Sequence, residues 1–286
     1  MEDKMPERQI RGISKWDAKE FYHQLGVRYR THDMERIEQF LAECVRSLGE
    51  EQKNSMLLCV VYNELGSFYR GTSRYQESLS AFRKSQELVL DLKGRDTADY
   101  AVSVNNIAGT YRLMGEYEQA VSLFLEALNI HEKLGDRQSY AYASVHNNLA
   151  LACQELGQLF RAASHLETAL PLIEAMPGHS HEAAVTETNL GILYHRMGET
   201  EKAHRSIARA LQTFEGLDDE KNVHYAAALN MLGTLHYETG QYEQAAAAYK
   251  KAAEYTERFF GRNAEYETAC RNLSRARRKL REGPVI

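Results

Sequence analysis

Asparagine recurs at one position of this sequence, and its amide is a group that recognises other molecules. Asn106, Asn148 and Asn189 follow one another at separations of 42 and 41 residues. Because an amide carries both a donor and an acceptor, a row of asparagines can hold the backbone of an extended peptide whatever its side chains. Asparagine is a mediocre helix former, so its recurrence within helical patterns needs a reason. The pattern indicates either a peptide-binding row or amides that tie neighbouring hairpins together.

A second column of residues changes from cationic to neutral along the chain. Its members are, in order, Arg30, Arg70, Arg112, Gln154, His195 and Tyr237. Guanidinium groups pair with carboxylates through charge-assisted hydrogen bonds. If the column lines one channel, a peptide with acidic residues or a free carboxylate should lie with that part near Arg70 and Arg112. The alternative is a solvated face on which arginine stems cover apolar surface.

Catalytic and metal-binding motifs are absent from the sequence. It contains no phosphate-binding G-x-x-x-x-G-K-[ST], no dinucleotide-binding G-x-G-x-x-G and no zinc-binding H-E-x-x-H. His179 and His181 flank a turn and could hold a metal, but such residues more simply begin a helix. The four cysteines form no C-x-x-C pair, which favours buried structural thiols. We therefore expect no enzyme activity, no cofactor and no metal.

Composition narrows the class of partner and the compartment. The net charge is −5 and the pI is about 6.1, which disfavours nucleic acid as a partner because that needs a basic surface. No stretch of about 18 apolar residues could span a membrane. The first residues carry both charge signs and lack the apolar run of a secretory signal. These features predict a cytoplasmic protein that does not act at a membrane.

Both polar columns belong to a repeat. Aromatic or similar residues recur at intervals of 42, 42, 41 and 42, at Tyr69, Tyr111, Cys153, Tyr194 and His236. A Leu or Ile stands four residues before each of them, on the same face of a helix. In four of the five copies a glycine stands four residues after that position, with Ser73 in its place in the first copy. Glycine adopts the positive φ that closes a helix, so each copy predicts a first helix that ends there.

A second helix follows each of these turns. Its signature is a small residue, a bulky one four positions later and another small one three beyond, as in Ala120, Phe124 and Ala127. Small residues let two helix axes approach closely, and the bulky ones fill the space between them. Each repeat is therefore predicted to be an antiparallel helical hairpin.

These motifs resemble the tetratricopeptide repeat, whose Leu-Gly, Tyr, Gly, Ala, bulky and Ala positions have this spacing. The period near 42 is longer than the usual 34 residues and is similar to the kinesin-light-chain subtype. The resemblance implies an all-α protein, a right-handed superhelix or α-solenoid of antiparallel hairpins with helical caps. It also implies that asparagines at the recurring position grip peptide main chain.

The repeat divides the chain into four parts. We expect an N-terminal tail at 1–15, a degenerate capping hairpin at 16–56, five repeats at 57–262, and a capping helix with a short tail at 263–286. Caps are needed because a stack of hairpins exposes an unpaired apolar face at each end.

Stacked hairpins place all first helices on one wall, where unused faces line a concave surface. The predicted peptide-binding residues on that surface are Asn106, Asn148, Asn189, Arg70, Arg112, Asn105, Asn147, Gln154, His195 and Tyr237. Apolar anchors for partner side chains would come from Val102, Leu113, Leu151, Ile192 or Tyr237.

The predicted function is a non-catalytic adaptor or sensor that binds a peptide or protein segment in this groove. One alternative is a self-assembling scaffold in which the first 16 or last five residues of another copy fill the groove. Another is the sensory peptide-receptor subunit of a bacterial signalling system.

Overall fold

The computed structural model describes residues 17–51, 56–217 and 222–282. Every regular element in these ranges is an α-helix, which confirms the predicted all-α class. Of the two segments proposed for self-association, 1–16 lies outside the described residues, and so do the last five residues apart from Glu282. The helices, in chain order, are α1 Ala18–Tyr29, α2 Met34–Glu51, α3 Met56–Gly71, α4 Tyr75–Lys93, α5 Ala98–Leu113, α6 Tyr117–Lys133, α7 Tyr140–Glu155, α8 Leu159–Glu174, α9 Ser180–Arg196, α10 Thr200–Glu215, α11 Val223–Glu238, α12 Tyr242–Phe260 and α13 Ala264–Glu282.

The chain divides into two compact units, one ending at Arg137 and one beginning at Gln138. In the first unit, α3 packs on α4 and α5 packs on α6 as hairpins, and successive hairpins meet through α2 with α3 and α4 with α5. In the second unit, α7 pairs with α8, α9 with α10 and α11 with α12, and α13 packs on α12 and α11. Both units therefore contain the predicted helical hairpins.

The turn residues adopt the predicted left-handed backbone. Gly115, Gly157, Gly198 and Gly240 have φ between 73° and 84°. Ser73, which replaces glycine in the first repeat, has φ 61° at the same position. A side chain at that φ costs backbone energy, so the turn is imposed by the hairpin on either side rather than by the residue alone.

Close packing within each hairpin depends on the small residues. A Cβ added to Gly66 of α3 would lie 2.7 Å from the ring of Phe82 in α4. On the other side of the same contact, the Ser78 hydroxyl donates to the Gly66 carbonyl at 2.8 Å. The helix axes thus come close enough for an aromatic ring to lie against backbone, as the alternation of small and bulky residues predicts.

In two repeats the recurring tyrosine joins its hairpin to the one before it. Tyr111 of α5 accepts a hydrogen bond from Arg83 of α4 at 2.7 Å, and Tyr194 of α9 donates to Glu167 of α8 at 2.7 Å. In both cases the ring is buried while the hydroxyl reaches a charged side chain. Tyrosine suits this position because its apolar ring fills the core and its hydroxyl finds a partner at the edge.

The N-terminal hairpin makes the equivalent contact with different chemistry. Glu38 of α2 stands where the repeats have a small residue, and both of its carboxylate oxygens accept from Arg74 at 2.8 Å. Arg74 also lies over the Tyr69 ring, with its Cζ 4.4 Å from the ring centroid. An ion pair at the start of α4 therefore joins this degenerate hairpin to the first repeat.

The contact at Gly66 predicts opposite effects for two glycines of the Leu-Gly motif. Gly66→Ala should lower the free energy of unfolding by about 1–3 kcal/mol, because the new methyl overpacks the site against Phe82. Gly26→Ala in α1 is the matched control, since no atom beyond the local backbone of its own helix lies within 4 Å of the added Cβ. Alanine should stabilise that helix by about 0.5–1 kcal/mol. Urea unfolding followed by circular dichroism measures both. Equal effects in the two variants would contradict the packing argument.

Candidate functional site

In the first unit, the predicted binding residues lie half-buried on two first helices. Arg70 belongs to the last turn of α3, and Asn105, Asn106 and Arg112 belong to α5. In α3, Gly66 of the Leu-Gly motif lies against Phe82 of the hairpin partner, and in α5 the corresponding Ile107 and Ala108 are buried. The predicted binding residues are less buried than these. Half-burial suits recognition, because the groups are partly desolvated yet accessible to a ligand.

Arg70 reaches from α3 to the backbone of α5. Its Nη1 lies 3.4 Å from the Asn106 carbonyl oxygen, and its Cζ lies 5.3 Å from the Phe82 ring centroid. A Cβ added to Gly109 would lie 3.1 Å from the same Nη1, so the guanidinium rests against a bare stretch of helix. A side chain at position 109 would crowd this guanidinium, and glycine leaves it more room.

Charges of both signs act on Arg70. Burial lowers the pKa of Arg70, the neighbouring cation Arg112 lowers it further, and Glu64 partly offsets both. Glu64 itself accepts a hydrogen bond from the Tyr22 hydroxyl at 3.2 Å, and burial raises the pKa of its carboxyl. Two guanidinium groups repel one another here, and an added anion between them would lower that electrostatic energy.

Asn106 makes a contact between hairpins. Its Nδ2 donates to the Oδ1 of Asn63 on α3 at 2.7 Å. The interaction corresponds to the second of the two interpretations drawn from the sequence, amides that tie neighbouring hairpins. One donated bond does not exhaust an amide, which has a second N–H and an acceptor oxygen.

Amides of the second unit take part in similar contacts. Asn147 of α7 donates to the Thr186 hydroxyl of α9 at 3.0 Å, and Asn272 of α13 donates to Asn230 of α11 at 3.2 Å. Asn148 and Asn189 are half-buried on α7 and α9. The sequence argument did not identify the hydrogen-bond partners Asn63, Thr186 and Asn230. It compared residues at the same position of successive repeats, whereas these hydrogen bonds join residues at different positions of the repeat.

The neutral part of the second column also lies in the second unit. Gln154 is half-buried near the end of α7. His195 has its Nδ1 3.4 Å from the Glu238 carboxylate, and Tyr237 lies under Arg275, whose Cζ is 4.1 Å from the ring centroid. His195 and Tyr237 thus each have a charged neighbour, and a ligand that binds them must also fit beside Glu238 or Arg275.

The histidines singled out from the sequence are in separate packing contacts. His179 stacks on Tyr140 at 4.5 Å between ring centroids, whereas His181 packs edge-on against Phe214 at 5.9 Å. Within the described residues, no three His, Cys, Asp or Glu side chains are grouped so that they could hold a metal ion.

The cysteines of the structure are free thiols, as predicted, and three of the four are buried. Burial raises the pKa of Cys44 to about 12 and also raises the pKa of Cys59 and of Cys153. A thiol that resists ionisation is a poor nucleophile, so these three side chains are packing residues.

A histidine pair joins the two helices of the hairpin α7–α8, with His146 buried and His165 half-buried. The Nδ1 atoms of His146 and His165 lie 3.0 Å apart, so one ring donates to the other. Burial lowers the pKa of both imidazoles, that of His146 to about 4. The neighbouring His165 lowers the pKa of His146 further, and the cation Arg161 lowers the pKa of His165 further. The corresponding residues of the preceding repeat are Val104 and Leu123. The pair is therefore a polar substitute for an apolar contact.

No helix within the described ranges has the length and apolar character needed to cross a membrane.

Paired helices in a 42-residue repeat, with small-to-bulky packing and glycine turns, define a helical-hairpin repeat protein. The tetratricopeptide repeat model matches residues 57–133, 141–216 and 183–258, which together cover well over half of the chain. The chain belongs to the tetratricopeptide repeat family, and the resemblance drawn from its motifs is confirmed.

Solved structures share the fold at low sequence identity. BtubC (BKLC) from P. vanneervenii superposes with a TM-score of 0.68 at 21% identity, over 78% of this chain and 91% of that one. The quorum sensor NprR from B. thuringiensis, in its apo form, gives 0.66 at 17% identity over 87% and 68%. A putative kinesin light chain from Podosopora anserina, with nearly identical TPR-like repeats, gives 0.56 at 16% identity over 69% and 93%. The fold is therefore that of kinesin-light-chain-like and related repeat proteins.

One curated protein is similar in sequence over a shorter stretch. Protein O-mannosyl-transferase TMTC1 of Homo sapiens is 41% identical over 69 residues, which are 24% of this chain. The chain spans only 7% of the length of that relative, so its transferase activity does not carry over.

The histidine pair predicts an acid-sensitive hairpin. Because both folded-state pKa values lie below the ordinary 6.5, the unfolded chain binds more protons, and stability present at neutral pH is lost as pH falls from about 6.5 towards 4. Allowing for partial solvent screening, we expect a loss of about 1–2 kcal/mol from this pair. Replacing it with the apolar pair of the preceding repeat, His146→Val with His165→Leu, should remove that loss.

Urea midpoints at about pH 7 and about pH 4.5 measure the difference. His23→Gln, which removes an exposed imidazole of α1, is the matched control and should behave as the unmodified protein. The same acid-induced loss in the double variant would contradict a role for the histidine pair.

Proposed function

We propose that this protein is a non-catalytic, cytoplasmic binding module that takes a peptide or protein segment on the faces of its first helices. In the first unit, Arg70 and Arg112 select acidic character in the partner. In the second unit, Asn148 and Asn189 hold the partner's backbone. Membership of the tetratricopeptide repeat family supports a protein or peptide partner, because such repeats present the exposed faces of their first helices as binding surfaces.

The observation that carries the proposal is the arginine pair of the first unit. Arg70 is held beside Arg112 although the two cations repel one another and burial opposes the charge on Arg70. A fold that merely needed to cover apolar surface could use uncharged side chains at these positions. A carboxylate placed between the two groups would accept charge-assisted hydrogen bonds and cancel the repulsion.

The energies indicate how such a partner would bind. An amide hydrogen bond contributes about 1 kcal/mol, and an arginine–carboxylate contact about 1.5–3 kcal/mol. A micromolar complex needs about 8 kcal/mol after the cost of ordering the peptide. Polar contacts therefore fix position and charge preference, and apolar side chains of the partner must supply the rest of the affinity.

A sensory role is a second candidate. The quorum sensor NprR shares this fold over most of both chains. If this protein is also a sensor, its partner is a short peptide rather than a protein segment. The two possibilities differ in whether a free peptide alone saturates the site.

Neutralising the arginine pair should remove the acidic preference. Random peptides displayed on phage and selected on the immobilised protein should be enriched in Asp and Glu. Arg70→Gln with Arg112→Gln should abolish that enrichment and weaken a selected acidic peptide about 10- to 100-fold, the worth of one or two charge-assisted contacts. Arg46→Gln, which removes an exposed arginine of α2, is the control.

Binding of the selected peptide by the unmodified protein should also weaken as salt is raised, because its charges are screened. Circular dichroism verifies that each variant is folded. If the double variant still selects acidic peptides, the assignment of Arg70 and Arg112 to the binding of acidic residues is wrong.

Removing the amides should reduce affinity without changing charge preference. Asn148→Ala with Asn189→Ala should cost a selected peptide about 1–3 kcal/mol if buried hydrogen bonds to its backbone are lost. Isothermal titration calorimetry measures the change. Unchanged affinity in a folded double variant would assign these asparagines to contacts within the protein.

A further inference from the structure

A cavity of about 290 Å³ opens among the helices of the second unit. First helices α9 and α11 and the capping helix α13 form its walls, and α12 forms its floor. The walls include Ile192 and Met231, while Ala252 and Thr256 of α12 are buried at the bottom. Of the lining residues, the sequence had indicated only Ile192 as an apolar anchor. The cavity exists because alanines from three helices meet where larger side chains would fill the space.

The cavity is apolar in spite of its two threonines. The Thr256 hydroxyl donates to the Ala252 carbonyl at 2.8 Å, and the Thr268 hydroxyl donates to the Ala264 carbonyl at 2.8 Å. Both hydroxyls are thus satisfied within their own helices, which leaves no demand for a polar ligand group at these positions. The lining therefore favours a hydrocarbon side chain over a polar one.

Two polar side chains mark the remainder of the lining. Asn230 is half-buried, and its Oδ1 accepts from Asn272 at 3.2 Å, so its Nδ2 can donate to a ligand carbonyl. Glu265 is exposed in the first turn of α13 and contributes a negative charge. A ligand that enters here meets an apolar interior, an amide and a carboxylate.

The size of the cavity limits its occupant. Sites for whole small molecules run from about 300 to 1,000 Å³, so this one is at the bottom of that range. It suits one bulky side chain of a longer chain, whose backbone continues across the opening. The carboxylate of Glu265 complements a cation on the next residue of that chain.

We propose that this cavity receives a bulky aliphatic side chain of a peptide segment, with a lysine or arginine beside it that pairs with Glu265. The inference rests on the proposed peptide-binding function and assigns to the second unit a specificity that the arginine pair of the first unit does not provide. The partner thus carries an aliphatic residue next to a basic one, in addition to any acidic part.

A direct test uses capped tetrapeptides and the full-length protein. The probe is acetyl-Gly-Leu-Lys-Gly-amide, compared with analogues in which Leu becomes Ala or Lys becomes Glu. The methyl resonances of Ile192 and Met231 should shift on titration of the probe. The Ala analogue should bind at least about tenfold more weakly, because it buries less hydrocarbon, and the Glu analogue should also bind more weakly.

Two variants locate the binding. Ala227→Leu places a bulky side chain at an exposed position of the lining and should abolish the shifts, whereas Ala208→Leu, at an exposed alanine of α10, should not. Glu265→Lys should reverse the preference between the Lys and Glu peptides, and Glu267→Lys, two residues further along α13, should not. Absence of shifts at Ile192 and Met231, or shifts that survive Ala227→Leu, would overturn the proposal.

Other results separate this inference from the function on which it rests. If the tetrapeptides fail while acidic selection through Arg70 and Arg112 persists, the cavity assignment is wrong and the binding function stands. If acidic selection fails as well, the proposed function falls with it. Light scattering that shows a concentration-dependent mass abolished by Ala227→Leu would assign the cavity to a second copy of this chain and overturn the peptide as its occupant.

Discussion

In the three repeats whose first helix carries a Leu-Gly motif, a bulky side chain of the second helix lies directly against the backbone of the first. Phe82 against Gly66, Ile207 against Gly191 and Tyr249 against Gly233 leave no room for a Cβ without a shift. Dispersion and apolar burial at these contacts fix the distance between the helices. Because this contact uses one face of the first helix, it decides which residues remain on the other face.

The faces left over carry much of the polar chemistry of the protein. Arg70, Asn106 and Asn147 all reach neighbouring first helices at half-buried positions. A polar group in such a place costs free energy unless it is hydrogen-bonded, so the same side chains contribute to stability and to the surface offered to a partner. Asn106 can therefore make a contact within the protein while other amides of the repeats bind a partner.

The two units also differ in chemical character on these faces. In the first unit, Ser67 and Gly109 occupy the position two residues after the repeat's Leu or Ile, and arginines lie nearby. In the second unit, Leu151, Ile192 and Thr234 occupy it, and Ile192 lines the apolar cavity. Small residues make room for guanidinium groups, and large ones build apolar walls. One repeat framework can therefore offer a charged surface in one unit and an apolar cavity in the other.

The sequence by itself determined the all-α class, the hairpins and their turns, since a period of 42 residues, a helical spacing of apolar positions and turn glycines are local properties. It also identified Arg70, Arg112 and Asn106 as candidate binding residues. Only the tertiary structure decided that Asn106 bonds to Asn63, that His146 and His165 contact one another, and that alanines of three helices line a cavity. Such contacts depend on the offset and spacing of helices that are distant in sequence. No local pattern encodes that spacing, and a small change in it decides whether two amides meet or a cavity closes.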